Sequence, residues 1–265
     1  MKKCFLYTFI IFLLNSSFAF SLTLEEAVES SLRTSEYKNR DQYRNPRETL
    51  SFFGIKNNMT VVELWPATGW YSEILVPLLE EKGKYLGATF DPNFAPWANG
   101  AIKRSKDRWN SSKALAGKWD SKIVTLSKGF TPITERESVD MVVTFRNLHN
   151  WLKAELLMDV FNKSFYVLKP GGIFGVVEHR ALPNTSIENM NTSGYVTEDL
   201  TIEYAQKAGF ILIEKSEINA NPKDTKIYPK GVWTLPPTLR LGEKDREKYM
   251  KIGESDRMTL LFKKP

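Results

Sequence analysis

His149 and His179 are the only two histidines in the chain, and imidazole is the side chain that most readily takes or gives a proton near neutral pH. Both stand in polar company, with Arg146, Asn147 and Asn150 around the first and Glu178 and Arg180 flanking the second. Asn147, His149, His179 and Arg180 therefore form the candidate catalytic set. Either histidine could act as general base on a substrate hydroxyl or amine, or could satisfy a loop hydrogen bond. Arg146 and Arg180 could clamp an anionic substrate with their planar forks, or close ion pairs at the edge of a sheet. His149, His179 and Glu178 include the ligand types a metal would need. However, no tight histidine spacing supports one and strand alternation turns Glu178 away from His179, so no metal is expected.

A second group lies upstream. Glu63 is followed by Leu64, Trp65, Pro66, Ala67, Thr68 and Gly69, and Asp91 stands 22 residues beyond that glycine. An acidic residue, a turn closed by glycine and a later carboxylate make up the general pattern of a nucleotide-binding βαβ unit. Trp70 and Tyr71 open the helix that follows and could stack on a base or floor the pocket. Backbone donors at that helix start favour a carboxylate or phosphate.

These residues need a scaffold that brings strand ends together. Short runs rich in β-branched and aromatic residues fall at 60–65, 84–90, 122–126, 139–145 and 173–178. They alternate with segments of helical length at 71–81, part of 97–116, 154–167 and 198–208. That alternation predicts an α/β fold with a doubly wound, mostly parallel sheet. Two further strands, at 210–218 and 257–262, complete seven. An N-terminal helix over 24–37, with a capping box from Thr23 to Glu26, and a second helix begun by Pro46 precede the sheet. The 219–252 stretch, dense in Pro, Lys, Tyr and Trp, is too long for an ordinary connection and reads as a functional or structural flap.

In this order the chain resembles the class I S-adenosylmethionine-dependent methyltransferases from Asn45 to Lys264. Glu63 to Gly69 is similar to that family's acidic and glycine-rich loop, and Asp91 to the carboxylate that holds the ribose. Val139 to Val143 is similar to its fourth strand, Val167 to Gly172 to its turn before the fifth, and Ala208 to Phe210 to the turn before the sixth. More narrowly, Gly69 to Tyr71, Phe145 to Trp151 and the 219–235 segment resemble a group of exported bacterial proteins classed as predicted methyltransferases. The resemblance implies S-adenosylmethionine as cofactor, with Glu63, Gly69, Trp70, Tyr71 and Asp91 as its binding residues. Two departures stand out. Trp65 and Ala67 occupy positions where the family has glycine, and Ser127 to Phe130 lacks the acidic residue that would hold the adenine amino group.

The N-terminus reads as a cleaved secretory signal over 1–21, with Lys2 and Lys3 before an apolar run from Phe5 to Leu14. That run is too short to span a bilayer, so a periplasmic or secreted domain over 22–265 without stable membrane insertion is expected. Cleavage removes Cys4, the only cysteine, and with it any disulfide or thiolate ligand. A formal net charge of +6, two units of it from Lys2 and Lys3, is scattered rather than striped and gives no sign of a nucleic-acid partner. The expected partner is a small molecule. Three readings remain open: methyl transfer to an oxygen or nitrogen nucleophile, a repurposed binding protein on the same fold, and a metal-assisted hydrolase at the histidines.

Overall fold

A computed structural model describes residues 21–127, 129 and 131–265. The leader read from the sequence lies, but for Ser21, outside the described residues. Among those residues no helix is long and apolar enough to cross a membrane.

The sheet contains β1 (Thr60–Leu64), β2 (Lys84–Phe90), β3 (Ile123–Leu126), β4 (Val139–Phe145), β5 (Leu168–His179), β6 (Ile211–Ser216) and β7 (Arg257–Lys263). Their order is β3-β2-β1-β4-β5-β7-β6. The pairs from β3 to β5 are parallel, whereas β7 runs antiparallel to both β5 and β6. Seven strands in an α/β sheet agree with the sequence reading. Alternation along each central strand feeds two cores. Val62, Leu64, Val142 and Phe174 pack on one face, and Val61, Met141 and Val143 on the other with Ile74 and Leu75 of the helix Ser72–Leu79. Chain order reverses between β1 and β4, and such a switch point opens a crevice beyond the carboxyl ends of the strands.

The N-terminal segment departs from the single helix expected over 24–37. Thr23 caps a helix Leu24–Glu29 with the expected capping box, but a separate helix begins at Ser35. The break has a cause. Thr34 turns its backbone N–H and its hydroxyl onto the buried Glu73 carboxylate, at 2.7 and 2.6 Å, and a continuous helix would have spent that N–H internally. Past β4, the stretch read as a loop forms a short helix, Leu148–Lys153, ahead of Leu157–Val167.

The flap is built into the domain. Buried Asp224 accepts hydrogen bonds from the Tyr195 hydroxyl (3.0 Å) and from the backbone N–H groups of Lys226 and Asp256 (2.8 Å each). A 3-10 turn, Gly231–Thr234, and a helix, Arg246–Ile252, give it regular structure. Gly231 has φ +54°, and a Cβ there would stand 2.2 Å from the Ser193 carbonyl oxygen, so the turn requires glycine.

Candidate functional site

β4 and β5 deliver the histidines. Asn147 follows β4, and its side-chain amide donates to the Leu64 carbonyl at 2.9 Å, tying the ends of β1 and β4 together. The helix Leu148–Lys153 then carries His149 towards the end of β5. Here Glu178, fully buried, gathers three donors: the backbone N–H of Leu148 at 2.5 Å, that of His179 at 2.7 Å, and His149 Nδ1 at 3.1 Å. With Glu178 as the acceptor, the imidazole proton sits on Nδ1 and Nε2 keeps its lone pair. His179 Nδ1 pairs with the Ser255 hydroxyl at 2.5 Å. Burial first, then the neighbouring His149 ring and the guanidinium charges of Arg257, Arg146 and Arg44, hold the His179 pKa well below the ordinary range, so His179 is neutral at pH 7.

The two rings lie 5.5 Å apart by centroid and wall a cavity of about 280 Å³. Arg146, Arg257 and Glu254 line it as well, together with Trp233, Pro236 and Pro237 of the flap. A second cavity of about 520 Å³ contains Asp91, Phe94, Ala95, Leu126 and Ser127. Trp65 belongs to the walls of both. Its indole packs edge-on against Phe90, Phe94 and Trp151 at 4.9 to 5.5 Å. The backbone is left-handed at Trp65 (φ 50°) and at Ala67 (φ 48°), the conformation that glycine adopts without cost. The turn of a glycine loop is thus kept without its glycines, and the first one is replaced by a partition.

Other expected residues take different places. Gly69 is needed for packing: φ is +87°, and a Cβ would stand 2.7 Å from Leu115 and 2.8 Å from the Trp109 indole nitrogen. Trp70 and Tyr71 are buried and line the histidine cavity, the flooring role that was the alternative to stacking on a base. Tyr71 stacks on Phe145 at 3.5 Å, and Trp70 lies under the Arg44 guanidinium at 4.7 Å. Neither lines the Asp91 cavity, so stacking on a base held there falls to other residues. Arg180 turns away from the crevice and is held by Asp256, Glu198 and Glu217 at 2.7 to 3.0 Å. It works as the ion-pair hub that was the alternative to a substrate clamp.

Glu63 Oε2 accepts from the hydroxyls of Ser72 and Tyr85, both at 2.7 Å. Burial outweighs these bonds and pushes its pKa up to about 7. A carboxyl raised from 4.5 contributes stability fully below pH 4.5 and loses it as pH rises through 7. Glu63→Gln keeps an acceptor without the charge. It is therefore expected to match the parent at pH 4.5 and to exceed it by about 3 kcal/mol at pH 8. Urea unfolding of both proteins at the two pH values checks this. The depressed pKa of His179 acts in the opposite sense, costing stability as pH falls below 6.5, and cancels in the comparison.

Glu178 is the functional residue that sequence reasoning discounted. Strand alternation does send its Cβ away from that of His179, yet the carboxylate folds back to its neighbour's N–H and reaches His149. The potential ligand atoms of His149, Glu178 and His179 lie within 4.8 Å of one another. Both Glu178 oxygens are committed to hydrogen bonds, and the guanidinium charges nearby oppose a cation.

The fold is that of the S-adenosylmethionine-dependent methyltransferases. An enzyme of that description from Aquifex aeolicus is 15% identical, with a TM-score of 0.51 over 86% of this chain and 97% of its own. Geranyl diphosphate methyltransferase in complex with S-adenosylmethionine is 10% identical, with a TM-score of 0.51 over 91% and 95%. The [4+2]-cyclase SpnF, 12% identical with a TM-score of 0.55 over 89% and 86%, shares the architecture as well. No family model and no curated protein matches the sequence. At identities this low the likeness shows the methyltransferase fold alone.

Proposed function

We propose that this protein transfers the methyl group of S-adenosylmethionine to an oxygen or nitrogen nucleophile of a small molecule, outside the cytosol. The observation that carries this reading is the Glu178–His149 pair, which presents an unoccupied imidazole Nε2 at the switch point of a methyltransferase fold. The cofactor fit can be tested on the chain's own atoms. Asp91 uses Oδ1 to accept from the Asn93 N–H at 2.7 Å, leaving Oδ2 for a ribose hydroxyl. Phe94, Ala95 and Leu126 give the same cavity an apolar wall suited to a base. Trp65 Nε1 is buried without a hydrogen-bond partner among the described residues, a donor available to a ligand crossing between the cavities. The residues fit the cofactor, with Asp91 at its nucleoside end.

Bound there, the cofactor supplies a methyl group already activated by its sulfonium. The protein's part is alignment and proton removal. His149 Nε2 accepts the proton of the nucleophile, and Glu178 stabilises the imidazolium that results. Neutral His179 lines the same wall as a hydrogen-bonding group. Trp233, 6.0 Å from His149 by ring centroid, closes the cavity against water with Pro236 and Pro237.

One observation favours a second reading, a ligand-binding protein that has left methyl transfer behind: the indole of Trp65 stands where the family has glycine. Calorimetric titration with S-adenosylmethionine and its demethylated product separates the two. Micromolar binding, about −8 kcal/mol, weakened tenfold or more in Asp91→Ala, is the expected result. No binding at millimolar ligand would hand the fold to the second reading.

A further inference from the structure

Four guanidinium groups gather at the histidine cavity, and three of them, those of Arg40, Arg44 and Arg257, share one carboxylate. Glu254 accepts from Arg40 Nε at 2.6 Å, from Arg44 Nε at 3.0 Å and from Arg257 Nη2. Arg257 also donates to the Tyr43 carbonyl at 2.7 Å. This leaves donors stranded: both terminal nitrogens of Arg44, Nη2 of Arg40 and Nε of Arg257 are buried without a partner among the described residues. Arg44 and Arg257 are each only 2% exposed. Arg146 is the fourth. Its guanidinium makes no hydrogen bond or ion pair to the described residues. It faces the cavity beside Arg257 from a left-handed backbone (φ 63°), a conformation unfavourable for so large a side chain.

Buried charges are ordinarily paired, because an unpaired one forgoes its hydration. The same protein shows how that is done, since Arg180 alone holds three carboxylates. At the cavity the balance is reversed, and the positive charges crowd one another. Burial, and then Arg257, lower the Arg146 pKa to about 10. A carboxylate or phosphate fits this deficit, because its oxygens match the planar fork of arginine and it brings the missing negative charge.

We propose that the cavity walled by Arg146, Arg257 and His149 is an anion-binding site, and that the methyl acceptor carries a carboxylate or phosphate group seated there. As an anion site this stands on the arginine geometry alone. As the class of acceptor it rests on the methyl-transfer reading above. The anion would seat the acceptor at the arginines and leave its nucleophile to His149 in the same cavity.

The test is calorimetric titration of the purified protein with inorganic phosphate at low ionic strength, with and without saturating S-adenosylhomocysteine. One phosphate per chain is expected to bind under both conditions. Affinity should fall about tenfold or more in Arg146→Met and less in Arg146→Lys, which keeps the charge but not the fork. Arg146→Met relieves repulsion, so it should melt no lower than the parent, and its loss of binding cannot be laid to misfolding. Absence of phosphate binding in the parent, or undiminished binding in Arg146→Met, would overturn the site. Exclusion of phosphate by S-adenosylhomocysteine would show that the anion is the cofactor's own carboxylate, and the acceptor assignment would fall. Phosphate binding with no binding of S-adenosylhomocysteine would uphold the anion site and remove methyl transfer instead.

Discussion

His149→Gln is expected to lower kcat for methyl transfer by about 10²–10⁴-fold with little change in cofactor affinity, because it removes the proton acceptor and leaves the Asp91 cavity untouched. Glu178→Gln should approach the same loss by a different route. The carboxylate that fixes the His149 tautomer and stabilises its charged form would be gone, with His149 itself still present. This second variant also injures the fold. Leu148 N–H and His179 N–H each need an acceptor from residue 178, and an amide has one oxygen, so about 1–3 kcal/mol of stability should be lost. Measuring kcat and the melting temperature for both variants separates the effects. Full activity in a folded His149→Gln protein would remove the base from the mechanism.

Glu254→Gln carries the largest expected structural effect. Its carboxylate is the shared partner of Arg40, Arg44 and Arg257, and removing one member of a buried ion-pair set leaves the others uncompensated, at about 3–5 kcal/mol. Burial by itself would raise the Glu254 pKa, but Arg44, Arg257, Arg40 and Arg146 overcome it and hold the carboxyl below the ordinary carboxylate range. A depressed carboxyl contributes stability above its unfolded pKa, near 4.5, and loses it as pH falls further. Parent and Glu254→Gln should therefore differ most at neutral pH and converge in acid. Denaturant unfolding from pH 7 down to pH 3 reads the convergence, and a variant as stable as the parent at pH 7 would contradict the charge argument.

The parts of this molecule that could be read from sequence are those whose signals are local. Val139 to Val143 and Lys84 to Phe90 announce themselves as strands by composition, Pro46 as a helix start, and Asp91 by its distance from Gly69. The ends of β4 and β5 could be placed on one edge, so both histidines were within reach. What stayed hidden depends on partners far away in the chain. The helix over 24–37 breaks because Thr34 answers to Glu73, and no periodicity within 24–37 records that. Arg40 and Arg44 look like surface charges of short helices until Glu254 and Arg257 arrive from beside the last strand. Glu178 was discounted on strand alternation, a rule that fixes where a Cβ points and says less about a flexible carboxylate at a strand end.

The reach of that arginine cluster along the chain governs when the protein can be finished. Arg40 and Arg44 meet Glu254 across 214 and 210 residues. Synthesis runs from the N-terminus, so the two arginines precede their counter-charge by roughly 10–40 s. During that interval Arg40 and Arg44 lack the carboxylate they share in the folded protein, and the cavity lacks Glu254 and Arg257. The cluster is latched only once Glu254 and Arg257 are made. A nascent chain kept unlatched until then is still able to be threaded through a membrane pore, the state that the proposed export requires.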